Sequence, residues 1–262
     1  MAINKIKNVL LPLIPFLLLI AFWSLAYYFS TSTRWLIPSP LKTADTLITL
    51  VLSGTLVKLV YISALNIFPA FFASLIFAVV VGVIIGINTN VRKSLLPFIS
   101  SFYAIPSIAW LPFIILFFGF TRQSIWIVVF FAGFLRIIYS IISGVRNINF
   151  NWILAARNFG LNKKEVVYKI IIPGIMPDII TGAKLGFNSC WRSLIGAEML
   201  ITTFGGLGKF IWLAQWTFDF DKVFAGIAVI ALIGIATEIF IFRWVEKITL
   251  MRWGFIQDEL KP

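Results

Sequence analysis

The chain has 262 residues, of which 60% are hydrophobic and only 12% charged. Soluble domains carry about 25% charged residues, so this composition excludes an ordinary soluble globule and points to an integral membrane protein. The formal net charge of +12 could suggest nucleic acid, but the basic residues lie scattered between apolar runs of membrane length, which fits orientation in a bilayer and not a binding patch.

Histidine is absent and the single cysteine, Cys190, lies in an apolar run. An intrachain disulfide is therefore impossible, and neither metal binding nor catalysis is expected of this chain.

Lys5 and Lys7 precede an apolar run over 9–29. It is longer than a signal-peptide core and ends in Tyr27, Tyr28 and Phe29 without a small-residue cleavage pattern, so it reads as a retained first span. After the RWLIPSP segment (34–40), Leu41, Ala44, Leu47, Ile48, Val51 and Leu52 share one helical face and Gly54 ends it, which predicts an interfacial helix on the outer surface. A second span over 59–87 carries Gly82 and Gly86 at a spacing that allows close helix approach. Residues 88–93 read as a loop marked by Arg92 and Lys93. The third span, 95–118, contains Pro97, Pro106 and Pro112 and predicts a bent or broken helix over Tyr103 to Pro112, YAIPSIAWLP, on the side of a path; the alternative is a kink with a packing role only. A turn over 119–122 leads to the fourth span, 124–145.

The stretch 152–177, WILAARNFGLNKKEVVYKIIIPGIMP, is a polar and basic interruption. Ile153 to Phe159 reads as a short helix that Gly160 ends in a left-handed conformation. Asn162 and Glu165 have the spacing of a capping box for a second helix, whose apolar face is Val166, Val167 and Ile170 and which Pro173 stops. Arg157, Lys163, Lys164 and Lys169 surround the pair, and an amphipathic helix lying on the membrane is the alternative reading.

The fifth span, 179–201, carries Gly182 and Gly186, and Ser189, Ser193 and Ala197 extend the small-residue stripe, which suggests a dimer seam or pore wall. Residues 202–221 read as an outer loop. Its GGLGK string is not a phosphate loop, because Phe210 stands where Ser or Thr is needed and Thr203 where the first Gly would be. A sixth span over 223–245 leaves 246–262 as a tail. With both termini inside, Lys5, Lys7, Arg92, Lys93, Arg146, Arg157, Lys163, Lys164, Lys169, Arg243, Lys247, Arg252 and Lys261 fall on the cytoplasmic side. Only Arg34, Lys42, Lys58, Arg122, Lys209 and Lys222 remain outside, as the positive-inside rule asks.

Arg136, Lys184, Arg192, Glu198 and Glu238 are ionisable groups within spans. Such a charge near the bilayer centre costs at least about 2.5–3.5 kcal/mol, so it faces a bundle interior or water. Lys184 is near enough to an end to snorkel. Arg192 and Glu198 point to different faces of one helix, so they do not pair within a chain. Arg192, with Asn188 or Ser189, is a candidate cationic lining of an anion pathway; a structural pair with Glu238 or with Glu198 of a second copy is the alternative. Pro106, Asn188, Ser189, Arg192 and Glu198 are the candidate path or gate residues.

Ala155, Ala156, Gly160, Ile170 and Pro173 resemble the EAA signature of ABC importer permease subunits: Glu-Ala-Ala, three residues, Gly, nine residues, Ile, one residue, Leu-Pro. Leu154 stands in place of the motif's Glu and Ile172 in place of its Leu. The Ile37 to Pro40 segment, Trp191 and the Ala197-Glu198 pair resemble the nitrate, sulfonate, taurine and bicarbonate branch. The resemblance implies an all-α, six-span permease bundle of the type I importer class in a prokaryotic cytoplasmic membrane. It also implies a homodimer of this chain with two ATPase subunits and an extracytoplasmic substrate-binding protein. Ala155, Ala156, Arg157, Gly160, Asn162, Lys163, Glu165, Val166, Ile170 and Pro173 would then couple to the ATPase, which holds ATP and Mg, leaving no cofactor and no enzymatic activity in this chain. The implied substrate is a small oxyanion such as a sulfonate, nitrate or bicarbonate, with a thiamine-precursor-like solute as the alternative. An ion-coupled secondary transporter is a reading from another class, but no inverted repeat is visible.

Overall fold

The computed structural model describes residues 11, 14–29 and 36–252, with side chains to 249; Lys5, Lys7, Arg34, Lys261 and most of the expected tail lie outside the described residues. Among the described residues the chain is helical without strands. The helices are α1 (Ile14–Phe29), α2 (Pro40–Leu52), α3 (Thr55–Ile87), α4 (Thr89–Ala104), α5 (Leu111–Phe118), α6 (Arg122–Asn147), α7 (Phe150–Asn158), α8 (Lys163–Gly174), α9 (Met176–Leu200), α10 (Leu207–Trp216) and α11 (Phe220–Thr249). Of these, α3, α6 and α11 are long and apolar enough to cross a membrane unbroken. The chain from α4 to α5 and from α8 to α9 qualifies as two bent pairs, and α1 is a shorter apolar helix.

Several boundaries depart from the sequence reading. Residues 88–93 are not a loop: Asn88 alone breaks the chain, and its side chain caps α4 by accepting from the N–H groups of Asn90 and Val91. Arg92 and Lys93 therefore sit on the first turns of a helix. The third span breaks by 88° between α4 and α5. Pro106 forces Ile105 into extended backbone (φ −82°, ψ 125°), while Pro97 is carried inside α4 and Pro112 sits harmlessly in the first turn of α5. The expected outer loop contains α10. On α2 most of the predicted apolar face is open, Leu41 being 85% and Leu52 82% exposed, and of that face Leu47 packs against the core. Beside it Thr46 donates to the Asp221 carboxylate of α11 at 3.0 Å.

The core is a sandwich with α6 in the middle, packed along α3 on one side and α9 on the other. Small residues set both separations. A Cβ on Gly86 would lie 2.7 Å from Val145, and one on Gly182 would lie 2.9 Å from Ser140, both on α6. Gly186 is likewise pressed on Ile137. Gly182 and Gly186 of the α9 stripe thus serve packing within one chain. Cys190 is sealed in the same contact, its Sγ donating to the Val129 carbonyl at 3.3 Å. Lys184 does not snorkel; it joins α9 to α11 through ion pairs with Glu238 and, at 3.4 Å, Glu246.

The far end of α9 is held by a buried carboxylate. Glu198 is 0% exposed. It accepts from Ser63 Oγ at 2.9 Å and Asn66 Nδ2 at 2.9 Å on α3, and from the Gly208 N–H at 3.0 Å on α10. Ser63 Oγ also accepts from the Leu207 N–H at 3.0 Å. The glycine string exists for this approach: a Cβ on Gly206 would sit 2.5 Å from the Leu59 carbonyl, and one on Gly208 2.8 Å from Glu198 Cβ. Glu198 is therefore a clamp joining α3, α9 and α10 and is not open to a path, a correction to its sequence assignment. Replacing Glu198 with Ala should strand the Ser63, Asn66 and Gly208 donors and cost about 3–5 kcal/mol, read as a lower unfolding midpoint of the purified protein; Ser63→Ala should cost about 1 kcal/mol.

Candidate functional site

Two assemblies collect the candidate residues: a helical hairpin beyond the spans and a cavity at the α4–α5 break. In the hairpin, Asn149 caps α7, and the helix closes with the Phe159 N–H on Ala155 O at 3.0 Å and the Gly160 N–H on Arg157 O at 2.9 Å. Gly160 is left-handed at φ 84°, with no atom near the position a Cβ would take, so backbone conformation and not space demands glycine here. Asn162 then opens α8 with a reciprocal capping box: the Glu165 N–H donates to Asn162 Oδ1 at 3.0 Å and the Asn162 N–H to Glu165 Oε2 at 2.9 Å. Lys169 pairs with Glu165 at 3.0 Å. The Asn162 backbone N–H, and after it Lys169, hold the Glu165 carboxyl below the ordinary carboxylate range.

Pro173 does not stop this second helix. A π-helical turn over Val167–Ile171 leads into Ile172–Gly174, where Pro173 occupies a first-turn position that needs no N–H donor. The chain bends by 61° only at the junction with α9. Ala156, Val166 and Ile171 are buried in a core of the hairpin's own, with Ile170 packed on its edge. Arg157, Gly160, Asn162, Lys163 and Ala155 are exposed, while Glu165 and Pro173 are half-buried. The sequence reading missed the exposed apolar surface around α7: Phe159 is 86% exposed, Trp152 50% and Leu154, at the motif's Glu position and on a different side of the helix from Trp152, 41%. Its signal was large apolar residues in a stretch otherwise read for its charges.

The cavity has a volume of about 310 Å³, at the small end of ligand sites, which run from about 300 to 1,000 Å³. Its walls are Tyr103, Pro106 and Ser107 at the break, Arg136 on α6, and Ser189, Arg192 and Ser193 on α9. The break is what makes room, because α4 and α5 turn away from each other where a straight helix would fill the space. Arg136 lies over the Tyr103 ring at 4.8 Å, and Tyr103 stacks on Tyr139 at 5.8 Å. Ser107 and Ser193 share a hydroxyl hydrogen bond of 2.6 Å. Arg136 Nε is buried without a partner, and among the described residues neither Arg136 nor Arg192 has a carboxylate within ion-pair distance.

The expected alternative, a pair between Arg192 and Glu238, is not formed, since Glu238 is held by Lys184. Of the candidate path residues, Pro106, Ser189 and Arg192 line the cavity, whereas Asn188 and Glu198 do not. Tyr103 and Ser107 belong to the proline-interrupted segment and Ser193 to the small-residue stripe that the sequence singled out, but none of them was named as a path residue. Arg136 stood out only for its charge inside an apolar span.

The sequence pattern of the family described as the binding-protein-dependent transport system inner membrane component matches residues 74–249, which include both assemblies. The chain belongs to this permease family. The permease is 31% identical over 227 residues to the taurine transport system permease protein of Escherichia coli, covering 85% of this chain and 82% of that one. It is 25% identical to the bicarbonate transport system permease protein of Synechococcus elongatus over 93% of this chain and 90% of that one. A Bacillus subtilis protein provisionally named for aliphatic sulfonates transport is 26% identical over 94% of this permease and 87% of its own length. The apolar helices of the permease are thus those of a multi-pass inner-membrane subunit of an importer.

The capping box gives a pH test. The Glu165 carboxyl lies below its ordinary value of 4.5 when folded, so its contribution is complete above that value and is lost as the pH falls through the lowered one. Hydrogen-exchange protection of the first turn of α8 should therefore be flat around neutrality and decline only in acid, and Glu165→Gln should remove the decline.

Proposed function

We propose that two copies of this permease form the path of an ATP-driven importer for a small oxyanion, working by alternating access. Both termini and the α7–α8 hairpin lie on the cytoplasmic side, where the excess of Lys and Arg falls. Two ATPase subunits dock on the hairpin and hold the ATP and Mg, so this chain needs no cofactor and is not itself an enzyme. A substrate-binding protein delivers the solute from outside.

The coupling route follows from the hairpin. Its exposed Leu154 and Phe159 give the ATPase apolar contacts, and Arg157 and Lys163 give it charge, in place of the ion pair that a Glu at position 154 would offer. Because α8 continues through Pro173 to the bend before α9, displacement of the hairpin acts at the root of the helix that carries Ser189, Arg192 and Ser193.

The observation that carries the substrate class is the pair of arginines lining one small cavity without a carboxylate. Two cations and serine hydroxyls suit an oxyanion, which accepts charge-assisted hydrogen bonds and is excluded from a bare apolar wall. The relatives named for taurine and bicarbonate agree, since both solutes bear an oxyanion. The net positive charge of the chain is not an argument here, because topology accounts for it.

Reconstitution in liposomes with the ATPase subunits and binding protein tests the reading. Uptake of an oxyanion should require ATP, and Arg136→Gln or Arg192→Gln should each lower it at least about tenfold, the loss of one charge-assisted hydrogen bond. Wild-type uptake in the Arg136→Gln/Arg192→Gln double variant would overturn the lining role, and uptake driven by an ion gradient alone would overturn the importer. Val166→Asp, which buries a carboxylate in the hairpin core, should leave the spans folded while ATP hydrolysis and uptake lose their link; unchanged uptake in Val166→Asp and Gly160→Pro would refute the coupling route.

A further inference from the structure

A second cavity, of about 510 Å³, opens where the hairpin meets the ends of the spans. Four cations line it: Arg92 on α4, Arg146 on α6, Arg157 on α7 and Lys163 on α8. No carboxylate is in its walls, and among the described residues none of the four forms an ion pair. Glu165, the acidic residue of the hairpin, is already engaged by the Asn162 N–H and Lys169. Arg92 is fixed by donating from Nη1 to the Gly86 carbonyl at 2.9 Å, which leaves further N–H groups for a ligand. Four like charges around one space repel one another, and an anion in that space relieves them all.

The rest of the wall decides which anion. Val145, Ile148 and Val167 are apolar, and at the edge Ile87 is 46% and Phe150 63% exposed. A free ion has no use for that surface, whereas an amphiphile does. The cavity also lies at the ends of two spanning helices, α3 and α6, the depth at which lipid phosphates meet a membrane protein. We infer that this cavity holds the phosphate headgroup of an anionic phospholipid, with an acyl chain along Ile87 and Phe150. The lipid joins α4, α6 and the hairpin by a shared counterion, so the hairpin is seated against the bilayer as well as against its own core.

The inference stands apart from the transport reading, because its test reads lipid retention and not uptake. The full-length permease, purified in detergent, would be offered phosphatidylglycerol, phosphatidylcholine or inorganic phosphate and examined by native mass spectrometry. Phosphatidylglycerol should be retained over phosphatidylcholine. Arg92→Gln and Arg146→Gln should each lower its retention by about fivefold, since a basic group contributes about 1 kcal/mol to holding anionic lipid. Lys93→Gln, an exposed neighbour outside the cavity, should change nothing, and Arg146→Lys should keep most of the retention. Equal retention of the two lipids, or of phosphatidylglycerol by wild type and the Arg92→Gln/Arg146→Gln double variant, would overturn the proposal. Displacement of phosphatidylglycerol by inorganic phosphate would overturn it too, by making free phosphate the ligand.

Discussion

The arrangement of the bundle depends on a carboxylate that never meets water. Lipid offers no hydrogen bonds, so each polar group placed among the spans must find its partners inside the protein. Glu198, on α9, does so with donors from two other elements: two side chains of α3 and a backbone N–H at the start of α10. Those partners fix the height of α9 against α3 and fold the segment after α9 back onto the bundle. Glycines at 205, 206 and 208 are the other half of the same constraint, because side chains there would push the segment away from its acceptor.

With the ends of α3 and α9 fixed, α6 is gripped between them along its length, and the small residues of its neighbours set the distances. What is left free to differ is the region where the helical regularity fails. The α4–α5 break opens the arginine cavity, and the π-turn with the bend before α9 hands the chain from hairpin to span. Both irregularities lie beside residues to which the proposed mechanism assigns a task, and both follow from prolines whose missing N–H the local geometry accommodates. Rigid contacts and irregular joints thus alternate along the chain.

Much of this was legible in the sequence because its causes are local. Hydrophobic length announced the apolar helices, the three prolines of the third span a bend or break without saying which one makes it, and the Asn162 and Glu165 spacing the capping box. What escaped was set by residues far apart. Glu198 reads as a stray charge until Ser63 and Asn66, more than 130 positions earlier, are brought to it. Likewise, α10 reads as loop because glycines needed for close approach look the same as glycines that break helices. The small residues of α9 suggested a dimer seam or a pore wall; its glycines pack on a neighbour in the same chain while Ser189 and Ser193 line the cavity, and periodicity carries no information about what fills the groove. Arg136 and Arg192 each stood out for charge; only the fold gives them one cavity.

The break at Pro106 also bears on how that cavity tolerates being empty. A helix end carries the summed dipoles of its peptide groups, equivalent to about half a negative charge at the C-terminus. Tyr103 and Ile105 line the cavity, so the last turn of α4 lies beside the arginines. The unwound end thereby acts as a permanent, partial counter-charge that costs no mobile ion. It is too weak to neutralise two guanidinium groups and too well placed to be displaced, so an entering anion gains only the remainder. In the proposed path, a cavity balanced in this way would receive an oxyanion and still release it, which transport requires and storage does not.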